Sequence, residues 1–183
     1  MTTLKLTRPP SPARTGVWIG IAAITMSFAA YTSALVVRQG ATPDWQHFKL
    51  PLILYPNTLL LLASSWTLQR GRHAISTSQG PTWLLLTLVL GLLFVVGQVI
   101  AWRELAAEGL FLNTNPSSSF FYVFTALHAL HLLGGVTALG YVFARVHASG
   151  ARPVLGALDA TSLYWHFMDV LWLYLLVVLA LWF

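Results

Sequence analysis

The chain has 183 residues, of which 57% are hydrophobic and only 8% charged. A soluble domain carries roughly 25% charged residues, so this composition excludes most soluble enzymes and a disordered chain, and points to a membrane. The absence of cysteine excludes disulfides, thiolate metal sites, iron–sulfur clusters and cysteine nucleophiles. The net charge of +5 is scattered through short loops without a basic patch, so no nucleic-acid partner is implied.

The first sixteen residues hold Lys5, Arg8 and Arg14 among three prolines and read as a cytoplasmic tail, residues 1–16. The apolar run that follows, Val17–Val37, exceeds the roughly 7–15 residues of a signal-peptide core and is read as a retained first span. Four more stretches are long enough to cross a core of about 30 Å as helix: Pro51–Leu68, Thr82–Ala101, Ser118–Phe143 and Leu158–Phe183. None alternates as a barrel strand does. The fold class is therefore all-α: a polytopic bundle of five transmembrane helices over residues 17–183, with short loops that make sequential helices antiparallel neighbours. Pro56 lies inside the second stretch and is expected to kink it.

Orientation follows from the basic residues. Lys5, Arg8, Arg14, Arg70, Arg72, Arg145 and Arg152 fall on one side, and Arg38, Lys49 and Arg103 on the other. The seven-to-three bias puts the N-terminus in the cytoplasm and the C-terminus outside.

Polar groups at membrane depth are costly and mark function or packing. They include Asn57, Ser64 and Ser65 in the second span, Gln98 in the third, His128 and His131 in the fourth, and His166 and Asp169 in the fifth. At about 1.5 Å per residue, His128 and His131 lie about 15 and 20 Å in from one face, and His166 and Asp169 about 12 and 16 Å in from the other. Antiparallel packing would put His131 level with His166 and His128 level with Asp169. A polar ladder of His128, His131, His166 and Asp169 is thus expected. Three uses of it stay open on these grounds: interhelical hydrogen bonding, ligation of a haem b by two histidines, and a proton path. Gly134 and Gly135, with Ala126 and Ala129 upstream, mark close helix packing. No phosphate loop, nucleophile elbow or H-E-x-x-H motif is present.

The segment FYVFTALHALHLLGG, residues 121–135, resembles the T-G-x-H-G-L-H-V-x-x-G stretch of haem-copper oxidase subunit III. YWHFMDVLW, residues 164–172, is similar to that family's Y-W-H-F-V-D-V-V-W signature, and NTLLLLASS, residues 57–65, to its N-T-x-x-L-L-x-S-S segment. Gln98 to Glu104 falls where the family has Q-x-x-E-Y-x-E. The likeness covers all five spans in order and matches the five-helix form. It implies a non-catalytic subunit III of a respiratory terminal oxidase, a cytochrome c oxidase reducing oxygen to water with proton translocation. Quinol oxidase subunit III and a nitric oxide reductase-associated subunit III-like protein share the resemblance. A bis-His haem b cytochrome and an assembly factor are rivals of another class.

The resemblance further implies no haem, copper or other cofactor in this chain. Haem and copper belong to partner subunit I, with copper in subunit II. Partners are subunit I, directly, subunits II and IV, and membrane lipids; the location is a bacterial cytoplasmic membrane. Arg145 matches an arginine that meets a lipid phosphate in relatives, and His166 a lipid-facing histidine; bound phospholipid is expected at both. Asn57, Gln98 and Glu104 match polar family positions. The chain departs from the family at three places: its first-helix glutamate is missing in Ala22–Phe28, the first glutamate of the third-helix pattern is Ala101, and the glycines flanking the first histidine are Ala126 and Ala129.

Overall fold

A computed structural model describes residues 12–41, 45–149 and 154–183. Within them the chain forms five helices: α1 (Pro12–Ala41), α2 (Leu54–His73), α3 (Gly80–Ala107), α4 (Pro116–Ser149) and α5 (Leu155–Trp182). Lys5, Arg8 and Arg152, which enter the charge comparison, lie outside the described residues. Residues 12–16, read from the sequence as tail, are helical and continue into the first span.

Four of the five helices, α1, α3, α4 and α5, are long and apolar enough to cross a bilayer. The fifth expected span, α2, has 20 residues and carries Asn57, two serines, Arg70 and Arg72. Its polar side chains survive at depth because the helix is wrapped by α3 and α5. Asn57, Thr58, Ser64 and Thr67 are all buried there.

Pro56 does not kink α2. The helix starts at Leu54, so Pro56 sits in its first turn, where backbone N–H groups have no intrahelical partner to lose. Pro51 lies ahead of the helix and its carbonyl accepts from Leu54 N at 3.1 Å.

Helices α2 to α5 form a closed ring, in which α2 meets α3, α3 meets α4, α4 meets α5, and α5 returns to α2. The first helix departs from the expected antiparallel neighbours. Among the described residues α1 packs on α5 and α4 and makes no face with α2. The reason is the connection that follows it. Trp45 Nε1 donates to the Trp182 carbonyl (2.9 Å), and Phe48 N to the Phe183 carbonyl (3.1 Å). These bonds pin the connection across the far end of α5, so α1 and α2 lie on either side of that helix. Tyr174 on α5 donates to Thr32 on α1 (2.7 Å), and Phe28 of α1 fills a core position against Phe124 of α4.

Lipid tails are as apolar as leucine, so the ring is held by close packing and interhelical hydrogen bonds rather than by burial from water. Gly91 and Gly97 mark close approaches of α3 to α5 and α2. A Cβ at Gly91 would lie 2.7 Å from Cη2 of Trp165, and one at Gly97 would overlap Asn57 Oδ1. Gly135 packs on Tyr164 and Trp165, so part of the small-residue face read from the sequence does meet α5.

Candidate functional site

The polar residues singled out in the sequence converge on the ring interior, in an order the ladder did not anticipate. No hydrogen bond joins any two of His128, His131, His166 and Asp169. Residues three apart on a helix differ by about 60° in direction, enough to face different neighbours in a bundle this tight. His131 Nδ1 donates to the Leu127 carbonyl of its own helix (2.7 Å), and its ring faces Phe28 of α1. His128 is fully buried and turned into the ring, between Phe94 of α3 (5.9 Å between centroids) and Trp172 of α5 (5.0 Å). It is therefore level with Trp172, one helical turn from the expected Asp169. Tyr164 donates to the His131 carbonyl at 2.9 Å, a backbone contact that sequence spacing does not disclose.

His166 turns the other way, onto α2, where Nδ1 and Ser65 Oγ share a hydrogen bond. Asp169, one turn deeper, is 4% exposed. Neither of its carboxyl oxygens has a hydrogen-bond partner among the described residues.

The second span's polar residues serve the α2–α5 and α2–α3 contacts. Trp172 Nε1 donates to Thr58 Oγ1 (2.9 Å) and Trp165 Nε1 to Ser64 Oγ (3.0 Å). Asn57 Nδ2 donates to the Phe94 carbonyl (3.0 Å), and the hydroxyls of Thr67 and Thr87 lie 2.9 Å apart. The two tryptophans of the final signature thus dock α5 on α2, a role that the sequence alone does not disclose. Gln98 is 1% exposed with both amide atoms unpaired among the described residues. Glu104 is exposed near the end of α3.

At the end of the bundle holding the start of α1 and α5 and the end of α2, a pocket of about 200 Å³ is lined by Arg14, Arg72, Asp159, Leu163 and His166. Arg72 Nη2 is 2.6 Å from Asp159 Oδ1 across it. Arg145 is exposed near the end of α4, its guanidinium 5.9 Å above the Tyr141 ring.

This arrangement has polar side chains committed to helix–helix contacts. The described residues hold no group of three or more His, Cys, Asp or Glu suited to a metal ion. His128 and His131 face different helices, with Phe94 and Trp172 against the one and Phe28 against the other. The fold and site define a polytopic helical membrane protein whose interior polar groups bind its own helices together.

The cytochrome c oxidase subunit III family model matches residues 23–183. "Probable cytochrome c oxidase subunit 3" of Mycobacterium tuberculosis is 35% identical over 159 residues, covering 83% of this chain and 77% of that one. The protein of the same name in Nocardia farcinica is 31% identical over 172 residues (90% and 85%). "Cytochrome c oxidase subunit 3" of Synechocystis is 29% identical over 175 residues (91% and 74%). The chain belongs to the cytochrome c oxidase subunit III family, and is a subunit of an oxygen-reducing haem-copper oxidase. These names do not favour the quinol oxidase or nitric oxide reductase alternatives.

Proposed function

We propose that this chain is the non-catalytic subunit III of a cytochrome c oxidase in a bacterial cytoplasmic membrane, packing directly on subunit I within a complex that includes subunits II and IV. Haem and copper reside in the partner subunits. The observation that carries the non-catalytic role is where the family signatures go. His128, Gly135, Trp165 and Trp172 all lie in helix–helix contacts of this chain. Residues engaged in this way stabilise a bundle; they do not meet a substrate.

The N-terminus lies on the cytoplasmic side. Supporting this, Arg14, Arg72 and Asp159 gather at one end of the bundle, the end to which the charge bias assigns the cytoplasm. Arg145 meets a phospholipid phosphate: it is exposed on a helix end, and a planar guanidinium suits a phosphate at headgroup level. His166 contributes through Nε2, since Nδ1 is engaged by Ser65.

The test is His166→Ala and Asp169→Ala in the assembled oxidase. Complex content should fall in both, while turnover per haem in what assembles stays at the wild-type rate. Normal content with abolished turnover would refute the role.

A further inference from the structure

The connection from α3 to α4 is uncharged and tightly tethered. From Gly109 to Leu127 the sequence has no charged residue. Gly109, at φ +80°, follows the cap of α3. Leu110 N donates back to the Leu105 carbonyl (3.0 Å) and Gly109 N to that of Ala106 (3.1 Å). This Schellman arrangement turns the chain back at the helix end. The Tyr122 hydroxyl of α4 donates to the Leu110 carbonyl (2.9 Å) and lies 3.2 Å from that of Trp102. Leu110 has therefore returned to the depth of Trp102, inside the last turns of α3, instead of running out into water.

The next residues are fixed as firmly. Ser118 Oγ donates to the Phe111 carbonyl (2.7 Å), and Ser119 Oγ to that of Leu112, which sets both beside the first turn of α4. Phe111 N donates to Thr114 Oγ1 (2.9 Å), and that hydroxyl to the Gly109 carbonyl (3.1 Å). Yet the side chains of Phe111 and Leu112 are 53% and 56% exposed. Large apolar side chains held outward by a tied backbone mark a contact surface.

Depth and charge say what the surface meets. It stands at the level of Trp102, a residue type enriched at membrane–water interfaces, whose indole is held by Thr125 Oγ1 (3.0 Å). The loop itself offers no charge to a protein partner; the nearest charges, Glu104 and Glu108, are exposed on α3 and its cap. Ser119, which holds Leu112, also lines an apolar groove of about 160 Å³ with Tyr31 of α1 and Phe120 and Val123 of α4. The loop's apolar side chains thus continue the apolar outer surface of the spans.

We propose that Phe111 and Leu112 are an interfacial anchor, entering the boundary between headgroups and acyl chains in the leaflet opposite the Arg14–Arg72–Asp159 end. Their occupant is bilayer lipid. Because the loop is tied to both α3 and α4, its depth sets the depth of both helices. The inference rests on the membrane-spanning fold and not on the oxidase assignment.

The chain has no cysteine, so one introduced thiol can be labelled on it, with the wild-type sample as background. The experiment is nitroxide labelling of Phe111→Cys and Leu112→Cys. Val96→Cys, at an exposed site on α3, is the lipid reference, and Glu108→Cys the water reference. Each is placed in nanodiscs of phosphatidylethanolamine and phosphatidylglycerol, as the purified complex and as the full chain alone. Power-saturation spectra read collisions with oxygen, which concentrates in the bilayer, and with a nickel chelate, which stays in water. At Phe111 and Leu112 the ratio should favour oxygen in both samples, as at Val96, and it should reverse at Glu108. A ratio favouring the chelate at either position overturns the proposal. A label shielded from both probes also overturns it, and shielding confined to the complex would show that a protein subunit covers the loop. If one of the two variants does not accumulate, the other decides alone.

Discussion

Trp172 on α5 donates its indole N–H to Thr58 Oγ1 on α2 at 2.9 Å, and the other side of this contact is the His128 imidazole 5.0 Å from the indole. One tryptophan thus ties α2, α4 and α5 together at the level where Phe94 closes in from α3, 5.0 Å away and perpendicular. Thr58→Val keeps the shape and removes the acceptor. It should destabilise the chain by about 0.6–2 kcal/mol, the range for an interhelical hydrogen bond in a membrane. Thr58→Ser should stay close to wild type. Thermal unfolding in detergent, with both variants in parallel, checks this; equal loss in the two would assign the effect to the methyl group instead.

Gly97 of α3 and Asn57 of α2 approach closely, with the amide where a Cβ would go. Gly97→Ala should cost about 1–3 kcal/mol through overpacking, whereas Gly140→Ala, with open space around it, should be neutral. Combining Gly97→Ala with Asn57→Ala should cost less than the sum of the two, since the second change removes the obstruction. Strict additivity in a double-mutant cycle would contradict the contact.

The Arg72–Asp159 pair is short at 2.6 Å, yet its side chains are 33% and 59% exposed. Exposed pairs are worth about 0.2–1 kcal/mol. Asp159→Asn should therefore change stability by less than the Thr58→Val variant, and the difference from wild type should fade as salt is raised. Melting curves at low and high ionic strength measure it, and a large, salt-insensitive loss would mean that the pair is buried in the assembled complex.

Arg145→Ala should reduce co-purified phospholipid while Arg145→Lys retains part of it, because a lysine keeps the charge but loses the planar, two-pronged donor. Lipid extraction and phosphate assay of the purified complex give the readout. Unchanged lipid content in Arg145→Ala would remove the contact.

Helices and their order were legible because a bilayer imposes length and apolarity on each span. What was harder to read was how the helices sit side by side. The separation of α1 from α2 depends on Trp45 and Phe48 reaching the end of α5, two contacts between residues more than 130 positions apart. The start of α2 was misplaced because Pro51, Leu52 and Ile53 are apolar without being helical, which made Pro56 look interior. At the site, depth arithmetic brought the four ladder residues to similar levels but gave no direction around the helix axis. His128 ended against Trp172 and His131 against Phe28, and the interhelical bonds went to Ser65, Thr58 and Ser64. Thr58, Ser64 and Ser65 stand in the N-T-x-x-L-L-x-S-S segment, but nothing in the sequence names their partners on the facing helix. The tryptophans carried a signal in retrospect, since a buried indole N–H requires an acceptor.

This chain works as a subunit of a haem-copper oxidase. The most direct measurement is its purification from mild detergent, with a reduced-minus-oxidised spectrum of the product and identification of the associated subunits by mass. A haem-containing subunit I should come with it in stoichiometric amount, and the haem signal should be lost when this chain is stripped from the complex and measured alone. A chain recovered alone with its own haem band would contradict it.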